Sequence, residues 1–365
     1  MSSDQVGGTL VGKGSFGCVF NPSLKCPGEN INSDELVSKV FFGNNSKAEL
    51  NDEFKVNKII KSIHGYEEWA EIWYKKCKPP PYTELLKQDP EIEDCLYDND
   101  ISEKTFNKNR LMLQGKFAGV TLIDFMSNLF NKSIFSSNDN FVRSFLLVMT
   151  LMKPLFTGLK EMYKKNISHN DIKDDNIMIT LEHKCSFIDF GLATEFSNKR
   201  FYEQRSKLEF ISDRIYPPYP YEFIYLFSTS ELLEEYDLND IKLKVPRSLH
   251  DRYVYIHEKI FGRKVSTYLL SLIYKLRKIK YKKSEYDNIV SLLDTYSIGV
   301  VIPHILYKIA KRHGTLKQLS KLVKLNKVKS FIDLFRSMSE PDNNNRITPS
   351  EALDKFTELE RLYLI

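Results

Sequence analysis

Apolar and polar positions follow two different periods along this chain, and the changes between them mark its elements. Near the start, Thr9-Leu10-Val11 and Cys18-Val19-Phe20 flank three glycines, and Glu35 to Phe42 alternates around Lys39. That spacing predicts three strands, the first two joined by a tight turn. The polar connection from Asn21 to Asp34, with Pro22, Pro27 and Gly28, reads as a long hairpin loop. From Ala48 to Ile63 the period becomes helical, with Leu50, Phe54, Ile59, Ile60 and Ile63 on the apolar positions. Residues 64–109 lose a clear period and hold Trp69, Trp73, three prolines at 79–81 and an acidic run, which reads as a surface loop with a short helix. A strand signal returns at Arg110 to Leu113. Phe141 to Asn166 predicts a long buried helix, with Pro154 marking a kink or a boundary. Ile177 to Ile179 and Cys185 to Ile188 flank a polar turn and predict a hairpin. The stretch between Glu222 and Asp294 reads as mostly helical.

The hairpin brings candidate chemistry together. Just before it stands His169-Asn170-Asp171-Ile172-Lys173-Asp174-Asp175-Asn176, and just after it Asp189-Phe190-Gly191. An aspartate beside a hydroxyl can orient it and accept its proton, a role that suits Asp171, while Asn176 and Asp189 offer oxygen ligands of the kind Mg²⁺ takes. Lys173 can offset charge on a moving phosphoryl group. In the first glycine turn, Gly12-Lys13-Gly14-Ser15-Phe16-Gly17, bare backbone lets amides approach a phosphate. Dinucleotide folds also use such glycines but open a helix after the last one, whereas Cys18-Val19-Phe20 continues as a strand. A lysine inside an apolar strand needs an anion, so Lys39 is a candidate phosphate ligand. Glu53 on the following helix is its preferred partner, and Glu49 the alternative.

Taken together, His169-x-Asp171-x-Lys173-x-x-Asn176, Asp189-Phe190-Gly191, Gly12-x-Gly14-x-x-Gly17-x-Val19 and the strand lysine Lys39 resemble the catalytic, magnesium and glycine loops and the strand lysine of eukaryotic-type protein kinases. The resemblance implies an α+β fold of two lobes. A small β-rich lobe would span residues 1–114, with an insertion at about 64–109; a mainly helical lobe would span 115–365, with a basic helical insertion at about 223–293. It implies transfer of the γ-phosphoryl group of ATP, with Mg²⁺, to a protein serine or threonine, the serine/threonine preference following from Lys173. Asp171, Lys173, Lys39 and Glu53 would be catalytic, and Asn176 and Asp189 would hold the metal. Gly12, Lys13, Gly14, Ser15, Phe16, Gly17 and Cys18 would cover the nucleotide. Val19, Val37 and Met178 would sandwich the adenine, backbone groups of Gly115 to Phe117 would meet its edge, and small Gly115 would leave room at the back.

The chain also departs from the family. Asn170 replaces the arginine that meets an activation-loop phosphate, which implies activity without phosphorylation at Thr194, Ser197 or Ser206. No Ala-Pro-Glu is present, Pro220-Tyr221-Glu222 being the nearest substitute. Asp294 to Val300 resembles the helix whose aspartate braces the catalytic loop, and Asp342 to Leu353 the closing element, with Arg346 expected to pair with Glu222. The overall look of the chain, with its divergent activation segment, resembles kinases encoded by large DNA viruses. Two rival readings are a scaffold without activity and a small-molecule kinase of the aminoglycoside or choline type. Lys173, the glycine loop and the Arg346 element favour a protein kinase over the latter.

Composition adds little that is specific. The chain has 365 residues, 42% of them hydrophobic, enough for one or two domains with a sizeable core. A net charge of +5 does not by itself point to nucleic acid, and the basic run from Tyr274 to Lys283 reads as a solvated helix face, with contact to nucleic acid or an acidic partner as the less favoured alternative. The longest apolar runs, such as Phe145 to Met152, fall short of a membrane span, and the polar start lacks a signal peptide's apolar stretch. An intracellular location is therefore expected, in host cytoplasm or virion if the origin is viral. The five cysteines show no paired short spacing, which predicts free thiols. Oligomeric state is not legible.

Overall fold

The computed structural model describes residues 8–14, 17–28, 34–88, 90–98, 100–211, 219–220, 223, 252–264 and 283–364. The chain divides into two units, one of Met1–Gly119 with Ile188–Leu192 and one of Val120–Phe187 with Ala193–Ile365.

In the first unit, the alternating segments form β1 (Thr9–Gly14), β2 (Gly17–Asn21) and β3 (Leu36–Phe41), followed by α1 (Ser46–Lys61). Two further strands, β4 (Trp73–Cys77) and β5 (Leu111–Lys116), complete an antiparallel sheet of order β1-β2-β3-β5-β4. Val19 lies opposite Lys39, and Lys39 opposite Leu113, so register fixes Lys39 on the middle strand.

Residues 64–109 are not a surface loop. Besides β4 they form α2 (Tyr82–Gln88), α3 (Ile92–Asp98) and α4 (Glu103–Asn109). Tyr82, Leu85, Ile92, Leu96 and Phe106 from these helices join Leu10, Phe20, Phe42 and Met112 from the sheet in one core. Each helix has two turns, too short for a helical period to show in the sequence.

The free-thiol expectation is also corrected. Cys18 is bonded to Cys95 and Cys26 to Cys77, across 77 and 51 residues of chain, leaving buried Cys185 as the free cysteine. Short-spacing rules cannot detect pairs so distant in sequence. Both bonds tie residues 64–109 to the region of β2. Closing loops of this length contributes about 2–5 kcal/mol. Reduction is therefore expected to lower the urea midpoint of the first unit's unfolding, and a non-reducing peptide map should return these two pairs. Shuffled pairs, or none, would contradict the assignment.

After α5 (Leu122–Leu129), the second unit is built on α6 (Asn138–Lys164), which runs unbroken through Pro154 where a boundary or kink was expected. Twelve of its residues are buried, and Phe156 stacks on Phe356 of the last helix with ring centroids 4.3 Å apart. Contrary to the expectation from short apolar runs, this helix is long and apolar enough to cross a bilayer. Half of its most apolar window is nevertheless buried within the protein, as in a core helix. Beside it, β6 (Val120–Thr121), β8 (Ile177–Ile179) and β9 (Cys185–Phe187) form a small sheet, with Ile177 opposite Phe187; β7 (Ile167–Ser168) pairs separately with β10 (Thr194–Glu195).

Further along, α7 (Lys199–Ile211) and α8 (Lys283–Ser291) precede α9 (Leu293–Arg312), which is buried on nearly every side as a central helix must be. Gly299 on α9 has no spare space. An added Cβ would lie 2.8 Å from the Phe335 carbonyl oxygen and 2.9 Å from Ser339 N, so the glycine lets α11 (Asn326–Met338), which follows the short α10 (Leu316–Leu322), touch α9 along its backbone. The closing α12 (Pro349–Tyr363) begins with a capping box in which Thr348 and Glu351 satisfy each other's backbone amides. Buried Arg346 donates from Nε to Glu340 O at 2.9 Å and lies over the Tyr296 ring. Its expected partner Glu222, like Tyr216–Pro218, Tyr221 and residues 274–282 of the basic run, lies outside the described residues.

Candidate active site

In the first unit, Lys39 Nζ meets Glu53 Oε2 at 3.0 Å and Asp189 Oδ1 at 2.8 Å. Glu53 is fourteen residues away and Asp189 a hundred and fifty, so fold rather than local sequence makes this group. Burial alone would lower the Lys39 pKa, but the two carboxylates outweigh it and raise it. Burial pushes the Glu53 carboxyl up, opposed by Lys39. Opposite charges at this spacing outside water hold Lys39 as the cation. Glu53, rather than partly exposed Glu49, carries the ion pair.

Asp189 sits in the left-handed region, with φ of 57°, as Phe190 turns into the core. A Cβ at Gly191 would lie 3.2 Å from Asp189 Oδ1 and 3.4 Å from Glu53 Oε2, so the glycine keeps this approach open.

A further contact had no local signal along the chain. Trp73 Nε1 donates to Glu53 Oε1 at 2.6 Å, and the Trp73 backbone N–H donates to Asn57 Oδ1 at 2.8 Å. The Trp73 ring occupies the space beside Gly115 that was expected to stand open, since a Cβ there would lie 2.8 Å from Trp73 Cε3. Gly115 itself is held in the sheet between Val37 and Trp73, and Phe117 N–H donates to Glu35 O at 2.7 Å. Of the backbone groups expected to meet an adenine edge, Gly115 is thus paired within the sheet and the Phe117 N–H within its continuation.

Gly17 is required by packing, as a Cβ there would collide with the Val40 carbonyl oxygen. A Cβ at Gly12 would make only ordinary contact with Val19. Lys13 and Gly14 lie on β1, Ser15 and Phe16 fall outside the described residues, and Cys18 is committed to its disulfide.

In the second unit, Asp294 shapes the loop before β8. Its two carboxylate oxygens accept the backbone N–H groups of His169 at 2.6 Å and Asn170 at 3.0 Å. Asn170 takes φ of 60°; its amide donates to Ser168 O at 3.2 Å and Tyr202 Oη at 3.4 Å, and its carbonyl accepts from Tyr219 Oη at 2.5 Å. Asp171 is buried except for a small surface. Asn176 Nδ2 donates to its Oδ2 at 2.8 Å and to its backbone oxygen at 2.9 Å, while Lys173 Nζ stands 3.2 Å from Oδ2. This arrangement fixes one carboxylate beside one cation, as aiming a hydroxyl requires. Met178 lies on β8 opposite Ser186.

Among the described residues no group of three or more His, Cys, Asp or Glu could hold a metal. An amide oxygen from Asn176 and a carboxylate from Asp189 are hard donors. Each is a donor of the kind Mg²⁺ takes, Asn176 in the second unit and Asp189 in the first.

A family model described as the protein kinase domain matches residues 103–218. Among curated proteins, the chain is 26% identical over 222 residues to the chloroplastic serine/threonine-protein kinase STN8 of Arabidopsis thaliana, covering 54% of this chain and 42% of that one. It is 25% identical over 216 residues to the mitosis inhibitor protein kinase SWE1 of Candida albicans, covering 57% of this chain and 16% of that one. A shorter stretch of 59 residues is 41% identical to cyclin-dependent kinase 11.2 of Caenorhabditis elegans, 16% of this chain and 9% of that one. The chain thus spans less than half the length of these relatives. With a β-sheet unit followed by a helical one, the fold is that of a protein kinase domain, α+β in class, and the matches support a eukaryotic-type kinase.

Proposed function

We propose that this protein is a serine/threonine protein kinase that transfers the γ-phosphoryl group of ATP to protein hydroxyls. The observation that carries the reading is the buried group of Lys39, Glu53 and Asp189, in which a lysine is held charged by two carboxylates drawn from distant parts of the chain. In this reading Lys39 grips the α- and β-phosphates and the amides of the glycine turn cover them. Asp171 orients the substrate hydroxyl and accepts its proton as the oxygen bonds to the γ-phosphorus and the bond to the ADP oxygen breaks. Lys173 offsets the charge in transit. Asn176 and Asp189 would hold Mg²⁺, which when bound neutralises phosphate charge. The serine/threonine preference rests on Lys173 and on the name of one relative, the serine/threonine-protein kinase STN8.

The test is incubation of purified protein with Mg²⁺ and labelled ATP, offered protein substrates and small hydroxyl compounds in parallel, with Asp189→Asn as the blank. Label on protein serine or threonine from wild type alone is the expected result. Label on the small compounds instead would move the protein to the small-molecule kinases, and ATP binding without transfer would make it a scaffold.

Independence from activation-loop phosphorylation belongs to the same proposal. Uncharged Asn170 is held by Tyr202 and Tyr219 through the hydrogen bonds above, a neutral arrangement that needs no phosphate to counter a cation. Phosphatase treatment, and replacement of Thr194, Ser197 and Ser206 by alanine, are expected to leave turnover within about twofold; loss of turnover on dephosphorylation would refute this. Kinship with kinases of large DNA viruses and an intracellular location complete the proposal. The two disulfides stand against that location, since such bonds form mainly in oxidising compartments.

A further inference from the structure

Glu53 has two carboxylate oxygens, and only Oε2 faces Lys39. A buried carboxylate with one oxygen unpaired would be costly and free to turn about its last torsion. Trp73, on the edge strand, meets the other oxygen at 2.6 Å, in the range of a strong charge-assisted hydrogen bond. Further contacts hold Trp73 in place. The Trp73 backbone N–H is fixed by Asn57 Oδ1, whose own amide donates to Glu53 O at 2.6 Å, so the strand is pinned to the same turn of α1 that carries Glu53. Strand pairing sets Trp73 opposite Gly115 on β5, and the six-membered ring lies where any larger residue at that position would put its Cβ. Gly115 in turn stands opposite Val37, two residues from Lys39 and therefore on the same face of the sheet.

We propose that Trp73 is the positioning residue of the Lys39–Glu53 pair, its indole N–H locking the Glu53 carboxylate and its ring taking the side-chain space that Gly115 leaves. The proposal rests on the kinase reading for its effect on turnover, though not for the contact itself. It gives the glycine at position 115 a physical reason: a larger residue there would push the ring from its place and pull the N–H from Glu53. It also makes the two positions interdependent, so that each matters only while the other is intact.

Two experiments test it. The first reads the contact without nucleotide. The chain has two tryptophans, so its amide spectrum holds two indole N–H signals, and Trp73→Phe assigns one of them. In Glu53→Ala that signal is expected to move upfield with loss of its carboxylate acceptor; an unmoved signal in a folded Glu53→Ala protein overturns the proposal whether or not the protein transfers phosphate. The second reads the interdependence. Trp73→Phe keeps an aromatic ring and removes the donor, and is expected to lower kcat/KM for ATP by about tenfold, as loss of one hydrogen bond to a charged group would. Gly115→Ala in the wild type should lose a comparable factor, whereas in a Trp73→Ala background it should cost less than about twofold more. Equal losses from Gly115→Ala in both backgrounds, or Trp73→Phe with kcat/KM unchanged, would overturn the proposal. Should every version lack transfer while binding ATP, the kinase reading fails alone, and the same two comparisons made on ATP dissociation constants decide the role of Trp73. If ATP does not bind, the indole signal and the thermal midpoints of the Gly115 and Trp73 variants decide it.

Discussion

Asp171→Asn is expected to lower turnover by about 10²–10⁴-fold, the usual contribution of a positioned proton acceptor. The amide that replaces the carboxylate cannot take a proton at neutral pH, and its NH₂ cannot accept the hydrogen bonds that Asp171 now receives. It can still turn its oxygen toward Asn176 Nδ2 and Lys173 Nζ, which today stand 2.8 and 3.2 Å from Oδ2. The loop should therefore keep its shape, and thermal unfolding should shift by only a few degrees. ATP affinity should change little, because nothing in the proposed role of Asp171 touches the nucleotide's binding. Turnover within about threefold of wild type would remove Asp171 from the proposed mechanism.

The largest effect on stability is expected at Asp294. Its carboxylate is the partner of two backbone N–H groups, those of His169 and Asn170, in a place closed to water. Asp294→Ala leaves both donors buried without that acceptor, at about 1–3 kcal/mol each, so a total of about 2–6 kcal/mol is expected. Against the roughly 5–15 kcal/mol that holds a domain together, this brings the second unit close to unfolding. Asp294→Asn keeps one acceptor and should cost roughly half as much. Urea midpoints for the three proteins give the comparison directly. If Asp294→Ala unfolds at the wild-type midpoint while losing turnover, the aspartate shapes the loop without stabilising the unit.

How much of this could be read from the chain depended on how local each signal was. The hairpin from Ile177 to Phe187, the helix carrying Glu53 and the strand carrying Lys39 were legible because their periods run within single elements. The bracing aspartate was legible through its resemblance to a family motif. What escaped was set by contacts between distant positions. The helices of 82–109 are too short to show a period, and their apolar residues make sense only against the sheet they cover. The pairs Cys18–Cys95 and Cys26–Cys77 join residues that no spacing rule connects. Gly115 suggested an open space because the sequence cannot show that a tryptophan from the neighbouring strand fills it. Pro154 suggested a break because the chain alone does not reveal the packing that carries α6 past it.

The distribution of the cysteines has a practical consequence. Four are paired in the first unit, and the fifth, Cys185, lies in β9 with its sulfur wholly buried and its pKa raised by that burial. Under non-reducing conditions a thiol reagent therefore meets one target, and only when the strand around it has opened. The rate of labelling at Cys185 is a built-in clock for openings around β9 in the second unit. It could time how an added ligand or a substitution slows or hastens those openings, with no engineered probe.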